Sequence, residues 1–101
     1  MIHGVSTEHL KILNEQLVAP LKHFGATVWV FGSRAEGSHK EFSDVDIAYE
    51  LPKSKNLPKG FLSKALFAIE DSRFPYKVDV VNWSELADSY KKNALLQRQQ
   101  L

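Results

Sequence analysis

Gly32-Ser33-Arg34-Ala35-Glu36-Gly37 and, across a five-residue gap, Ser43-Asp44-Val45-Asp46 form the stretch on which the reading of this sequence turns. Thr27 to Phe31 (TVWVF), just before it, is short, β-branched and aromatic, the make-up of a buried strand. Asp44 to Glu50 (DVDIAYE), at its end, alternates strictly and predicts a second strand. Side chains alternate along a strand, so Asp44 and Asp46 share one face, with Cα atoms roughly 6.5–7 Å apart. Val45, Ile47 and Tyr49 then take the opposite face and pack on helices. Two carboxylates this close repel each other unless something positive sits between them. Taken alone, the pair is equally well read as a solvated strand face.

Asp79 shifts that balance. It lies in Lys77-Val78-Asp79-Val80-Val81, a predicted third strand in which valines flank the acid. An acid in such a run is costly unless it is paired or binds a metal. If the second and third strands are neighbours, about 4.8 Å apart, Asp79 reaches the face of Asp44 and Asp46. Three hard oxygen donors suit magnesium, and can hold the two ions of phosphoryl-transfer chemistry. A strand-end acid paired with Lys77 is the other reading. Gly32-Ser33 follows the first strand at a sharp turn. Gly32 lets a phosphate approach the backbone, Ser33 offers a hydroxyl, and the next amides can open a helix toward an anion. The Gly-Lys-Ser/Thr ending of a P-loop is absent.

The rest of the chain supplies helices. Ser6 and Thr7 can cap a first helix whose apolar stripe is Leu10, Leu13, Leu17, Leu21 and Phe24. Pro20 should kink or shorten it, and Gly25 suits its stop. Leu51 to Gly60, with two prolines, reads as a loop, and Phe61 to Arg73 as a second helix with Leu62, Leu66 and Ile69 inward. Ser84 can cap a last helix to about Gln99, with Leu86, Tyr90 and Ala94 inward. The order helix, strand, strand, helix, strand, helix predicts an α+β (mixed α/β) fold, a small three-stranded sheet covered by helices. At 101 residues and 44% apolar content, one domain with a real core is expected.

Composition narrows the function. No apolar run approaches the ~18 residues of a membrane span, and the start lacks a signal-peptide pattern, so a cytoplasmic location is expected. Without cysteines there are no disulfides and no thiolate zinc sites. A net charge of +1 is too balanced for wrapping long nucleic acid, but leaves a single nucleotide open. His3, His9, His23 and His39 show no metal-ligand spacing. Lys53, Lys55, Lys59 and Lys64 read as a solvated basic run, and Trp29 and Trp83 as packing residues.

Gly-Ser-x-Ala-x-Gly, a short gap, then Ser-Asp-x-Asp resembles the signature of the DNA polymerase beta nucleotidyltransferase superfamily, and the short chain resembles its minimal nucleotidyltransferase (MNT) branch. The resemblance implies that Gly32 and Ser33 bind the triphosphate and that Asp44, Asp46 and Asp79 are the catalytic, metal-ligating acids for two magnesium ions. It implies ATP as substrate and a mixed sheet with strands in sequential order. Glu36 stands where many members carry arginine, and Arg34 is expected to compensate at the nucleotide. The implied activity is transfer of AMP to a hydroxyl, with a tyrosine of a HEPN-domain toxin as the acceptor and this chain as the antitoxin. The loop Leu51 to Gly60 and the last helix are the expected docking surfaces for that partner. Two other classes stay open: a binding-only module with a vestigial site, and the nucleotide-binding subunit of a two-chain antibiotic- or nucleic-acid-modifying enzyme.

Overall fold

A computed structural model describes residues 2–101. Helix α1 (Thr7–Leu13) starts at Ser6, whose side chain accepts the His9 N–H. The helix passes through a wider π-type turn, Asn14–Val18, into α2 (Ala19–His23). Pro20 explains the widening. It has no N–H, and its ring would press on the carbonyl one α-turn back. Instead Ala19 donates to Asn14, five residues earlier, and the chain stays helical through the proline.

Strand β1 (Thr27–Phe31) leads into a short helix, α3 (Ser33–Glu36), then β2 (Val45–Glu50), α4 (Phe61–Glu70), β3 (Val78–Asn82), a 3₁₀ turn (Trp83–Glu85), α5 (Asp88–Gln97) and β4 (Gln99–Gln100). The sheet order is β3-β2-β1-β4. β1 and β2 are antiparallel and β2 and β3 parallel, so the expected mixed sheet in sequential order is present. A fourth strand of two residues, unexpected because Gln99 and Gln100 carry no strand signal, adds antiparallel to β1.

Two other expectations are corrected. The second helix ends at Glu70 rather than Arg73, because the Ser72 hydroxyl bonds back to the Ile69 carbonyl and accepts the Phe74 N–H. Ser84 does not cap the last helix. Asn82 takes both its N–H and its hydroxyl, which winds a 3₁₀ turn and delays α5 to Asp88.

Alternation gives the sheet two faces. Val28 and Val30, then Val45, Ile47 and Tyr49, then Val78, pack with Leu13, Leu17, Val18, Leu21, Ala65 and Ile69 in the main core. The other face carries Trp29 and Phe31, Asp46 and Ala48, and Asp79 and Val81. Only a small cluster covers it: Trp29, Phe31, Ala48, Trp83 and Ala94, flanked by Val81 and Leu86. Among the described residues no helix is long and apolar enough to cross a membrane.

Candidate active site

The lightly covered face opens into a cleft of about 900 Å³. Gly32, Asp46 and Asp79 line its sheet side, and Glu85, Tyr90, Asn93 and Gln97 stand on the side of the 3₁₀ turn and α5. The parallel β2–β3 register sets Asp46 directly beside Asp79. Antiparallel pairing sets Asp46 opposite Phe31, the residue before Gly32. Two pairings of β2 therefore bring together groups that lie far apart in the chain.

Gly32 is required where it is. Its backbone is at φ 75°, a left-handed conformation that favours glycine. A Cβ there would stand 2.5 Å from Asp46 Oδ2. The turn is thus backed directly against the carboxylate, and its N–H is held at 3.3 Å by Gln97 Oε1. Ser33 opens α3 and, like Asp44, is not among the residues lining the cleft.

Asp46 carries the electrostatic signature of the site. Its carboxyl is pushed up from 3.8 to about 6, first by burial, then by the charges of Asp79 and Asp44. Asp79 and Asp44 thus both lie near enough for their charges to act on Asp46. Asp79 sits on an edge strand with its side chain 44% exposed, and Lys77 Nζ lies 3.7 Å from its Oδ1. That pair, solvated on both sides, is weak and leaves Asp79 available.

The donor chemistry fits magnesium: hard carboxylate oxygens with mutually unfavourable charge that a cation would relieve. Asp46 and Asp79 are the pair the sheet sets side by side, with Asp44 adding its charge from just before β2. Among the described residues no three acid or histidine side chains converge as a ready-made metal cage.

Arg34 is placed differently from the expectation that it meets nucleotide. It is 1% exposed. Its Nε donates to the Ser43 carbonyl at 2.9 Å, Nη1 to His3 at 3.0 Å and Nη2 to Glu41 at 3.2 Å. The guanidinium also lies 4.0 Å from the Tyr76 ring. A planar five-donor group can satisfy several carbonyls at once, and here it ties the glycine turn to the loop that delivers Asp44. Glu36 is exposed and accepts from Ser38. Tyr90, expected inward, is 65% exposed at the cleft.

The profile of the family described as Nucleotidyltransferase domain matches residues 8–101. The chain belongs to that family. Within it, the minimal nucleotidyltransferase branch is the one it fits. A Haemophilus influenzae relative named "Probable protein adenylyltransferase MntA" is 32% identical over 68 residues, 65% of this chain. The match spans 56%, little more than half, of that relative's length. A solved structure assigned as a minimal nucleotidyltransferase superposes with a TM-score of 0.69 at 26% identity, covering 97% of this chain and 98% of that one. A crystal structure of a toxin–antitoxin with AMP-PNP has the same fold, with a TM-score of 0.64 at 19% identity over 86% of this chain and 70% of the other. In this nucleotidyltransferase-family chain the α5 wall is what motif reading missed. Asn93 and Gln97 belong to no signature, and their polarity resembles that of a solvated tail.

Proposed function

We propose that this chain transfers AMP from ATP to a hydroxyl of a protein partner, and that magnesium supports the reaction. The observation that carries the reading is the Gly32 turn seated on Asp46, with Asp79 beside it in register, at an open cleft. The triphosphate tail would lie on the Gly32-Ser33 turn. Asp44, Asp46 and Asp79 would hold magnesium, which supplies charge neutralisation at the phosphates and a more acidic acceptor hydroxyl. The acceptor oxygen attacks the α-phosphorus. A new O–P bond forms, the bond to the bridging oxygen of the β-phosphate breaks, and pyrophosphate leaves with that oxygen. Asp79, on the edge strand with its side chain 44% exposed, is the group suited to take the acceptor's proton. Arg34 stays out of the chemistry and keeps the turn and the Asp44 loop in place.

The cleft lies open between the sheet and the wall of α5 and the 3₁₀ turn, which leaves room for an acceptor carried by a partner. Family resemblance makes a tyrosine of a HEPN-domain toxin the first candidate, with this chain as its antitoxin in the cytoplasm, where ATP is abundant. The relative named as a protein adenylyltransferase and the toxin–antitoxin structure with AMP-PNP support that choice. The test mixes the purified chain with a HEPN-domain protein, ATP and magnesium, and weighs the partner. A gain of about 329 Da, one AMP unit, is expected from nucleotidyl transfer. It should vanish with Asp46→Asn or Asp79→Asn. A complex that forms and neutralises its partner with no mass gain would favour the binding-only reading instead.

A further inference from the structure

Three consecutive residues at the end of α5 strap down the glycine turn. Gln97 Oε1 accepts the Gly32 N–H at 3.3 Å. The Arg98 guanidinium lies 4.2 Å from the Trp29 ring and 4.4 Å from the Trp83 ring. Gln99 Nε2 donates to the Ala35 carbonyl, inside α3, at 2.9 Å. Gln99 and the next residue, Gln100, also pair with Val30 and Trp29 of β1. The strap is therefore fixed at both ends of the turn, and the backbone that carries the Gln97 carboxamide is held close to Gly32.

An amide N–H has one hydrogen to give. If the triphosphate uses the Gly32 turn, as the reading above holds and as this inference assumes, a phosphate oxygen and Gln97 compete for the same donor. The carboxamide suits the position. It satisfies the donor without placing another negative charge beside Asp46, whose carboxyl already bears those of Asp79 and Asp44. It also sits on a flexible two-carbon stem that can swing aside, while Arg98 and the β4 pairing hold the backbone. We propose that Gln97 sets nucleotide affinity by occupying the Gly32 amide, so that the triphosphate binds by displacing its side chain.

The experiment compares the unsubstituted protein with Gln97→Met, which keeps stem length and helix propensity but removes the acceptor, and with Gln97→Ala as a second variant. Hydrogen exchange of the Gly32 amide is followed by NMR without nucleotide, and ATP affinity with magnesium by titration calorimetry. Exchange should quicken in both variants, and ATP should bind about 3- to 10-fold more tightly, the worth of one displaced hydrogen bond. Unchanged exchange would remove the contact. Equal or weaker ATP binding by both variants would overturn the proposal, and weaker binding would mean that Gln97 grips the ligand. Quickened exchange with no ATP binding by any form, the parent chain included, would bring down the nucleotide reading itself and the proposal with it.

Discussion

Val28 and Val30 are fully buried among leucines and isoleucines of the surrounding helices, whereas Trp29 and Phe31, their neighbours on the same strand, belong to a smaller cluster with Ala48, Trp83 and Ala94, flanked by Val81 and Leu86. On β2 the contrast sharpens. Val45 and Ile47 are 0% exposed, and Asp46 between them faces a cleft with its carboxyl pushed up to about 6. One face gains stability by excluding water. The other gives up packing to hold two carboxylates and a positive-φ glycine in one place. Residues one position apart should therefore respond to mutation with opposite signs.

The largest effect is expected on the packed face. Leu17→Ala removes a side chain that is 0% exposed, and should cost about 2–5 kcal/mol in urea unfolding because the cavity cannot fully collapse. A cost under 1 kcal/mol would mean that this face is not the stability core. Gly32→Ala comes next. The new methyl meets Asp46 Oδ2 and the positive φ is strained, so a loss of about 1–3 kcal/mol is expected. Magnesium-dependent ATP binding should fall below detection in calorimetry.

Asp46→Asn should go the other way. The folded-state pKa lies above the ordinary 3.8, so the folded protein holds this proton more tightly than the unfolded chain. The associated stability is fully present below about pH 4 and is lost as pH rises through about 6. Asparagine escapes that loss. The variant should match the parent near pH 4 and exceed it above pH 7 by about 1 kcal/mol, solvent screening having trimmed the gain at a half-buried group. Thermal melts across that range are the check. Added magnesium should close the gap by stabilising the parent alone, and a gap that magnesium leaves unchanged would argue against Asp46 as a ligand. The smallest effect belongs to Lys77→Ala. It removes an ion pair to Asp79 whose members are 72% and 44% exposed, and should change stability by less than about 0.5 kcal/mol. A larger loss would make that pair part of the fold.

Much of this contrast could be read from local pattern. Alternation in Asp44 to Glu50 separated an apolar face from an acidic one, because a strand offers its side chains to two sides in turn. The first strand, Thr27–Phe31, was legible to the residue from its β-branched and aromatic run. The turn after the first strand was legible from Gly32, and the place of Asp79 beside the second strand from its valine-flanked run. Local pattern failed at the helix ends, where the side chains of Ser72 and Asn82 redirect the backbone through bonds that propensity does not foresee.

Arg34 and Gln97 mark the boundary between the two kinds of information. Residue type and spacing pointed to a glycine turn after the first strand and to acids in the second and third, since strand periodicity and motif order are local properties. What each polar side chain touches was decided only in three dimensions. Arg34, inside the motif, turns inward to three carbonyls from segments before and after it. Gln97, sixty-five positions away from Gly32, reaches that residue's amide because β4 pairs with β1 and brings the end of α5 across the cleft. A hydrogen bond depends on where a donor and an acceptor finally stand, and that position is set by strand pairing and helix packing between segments distant in the chain.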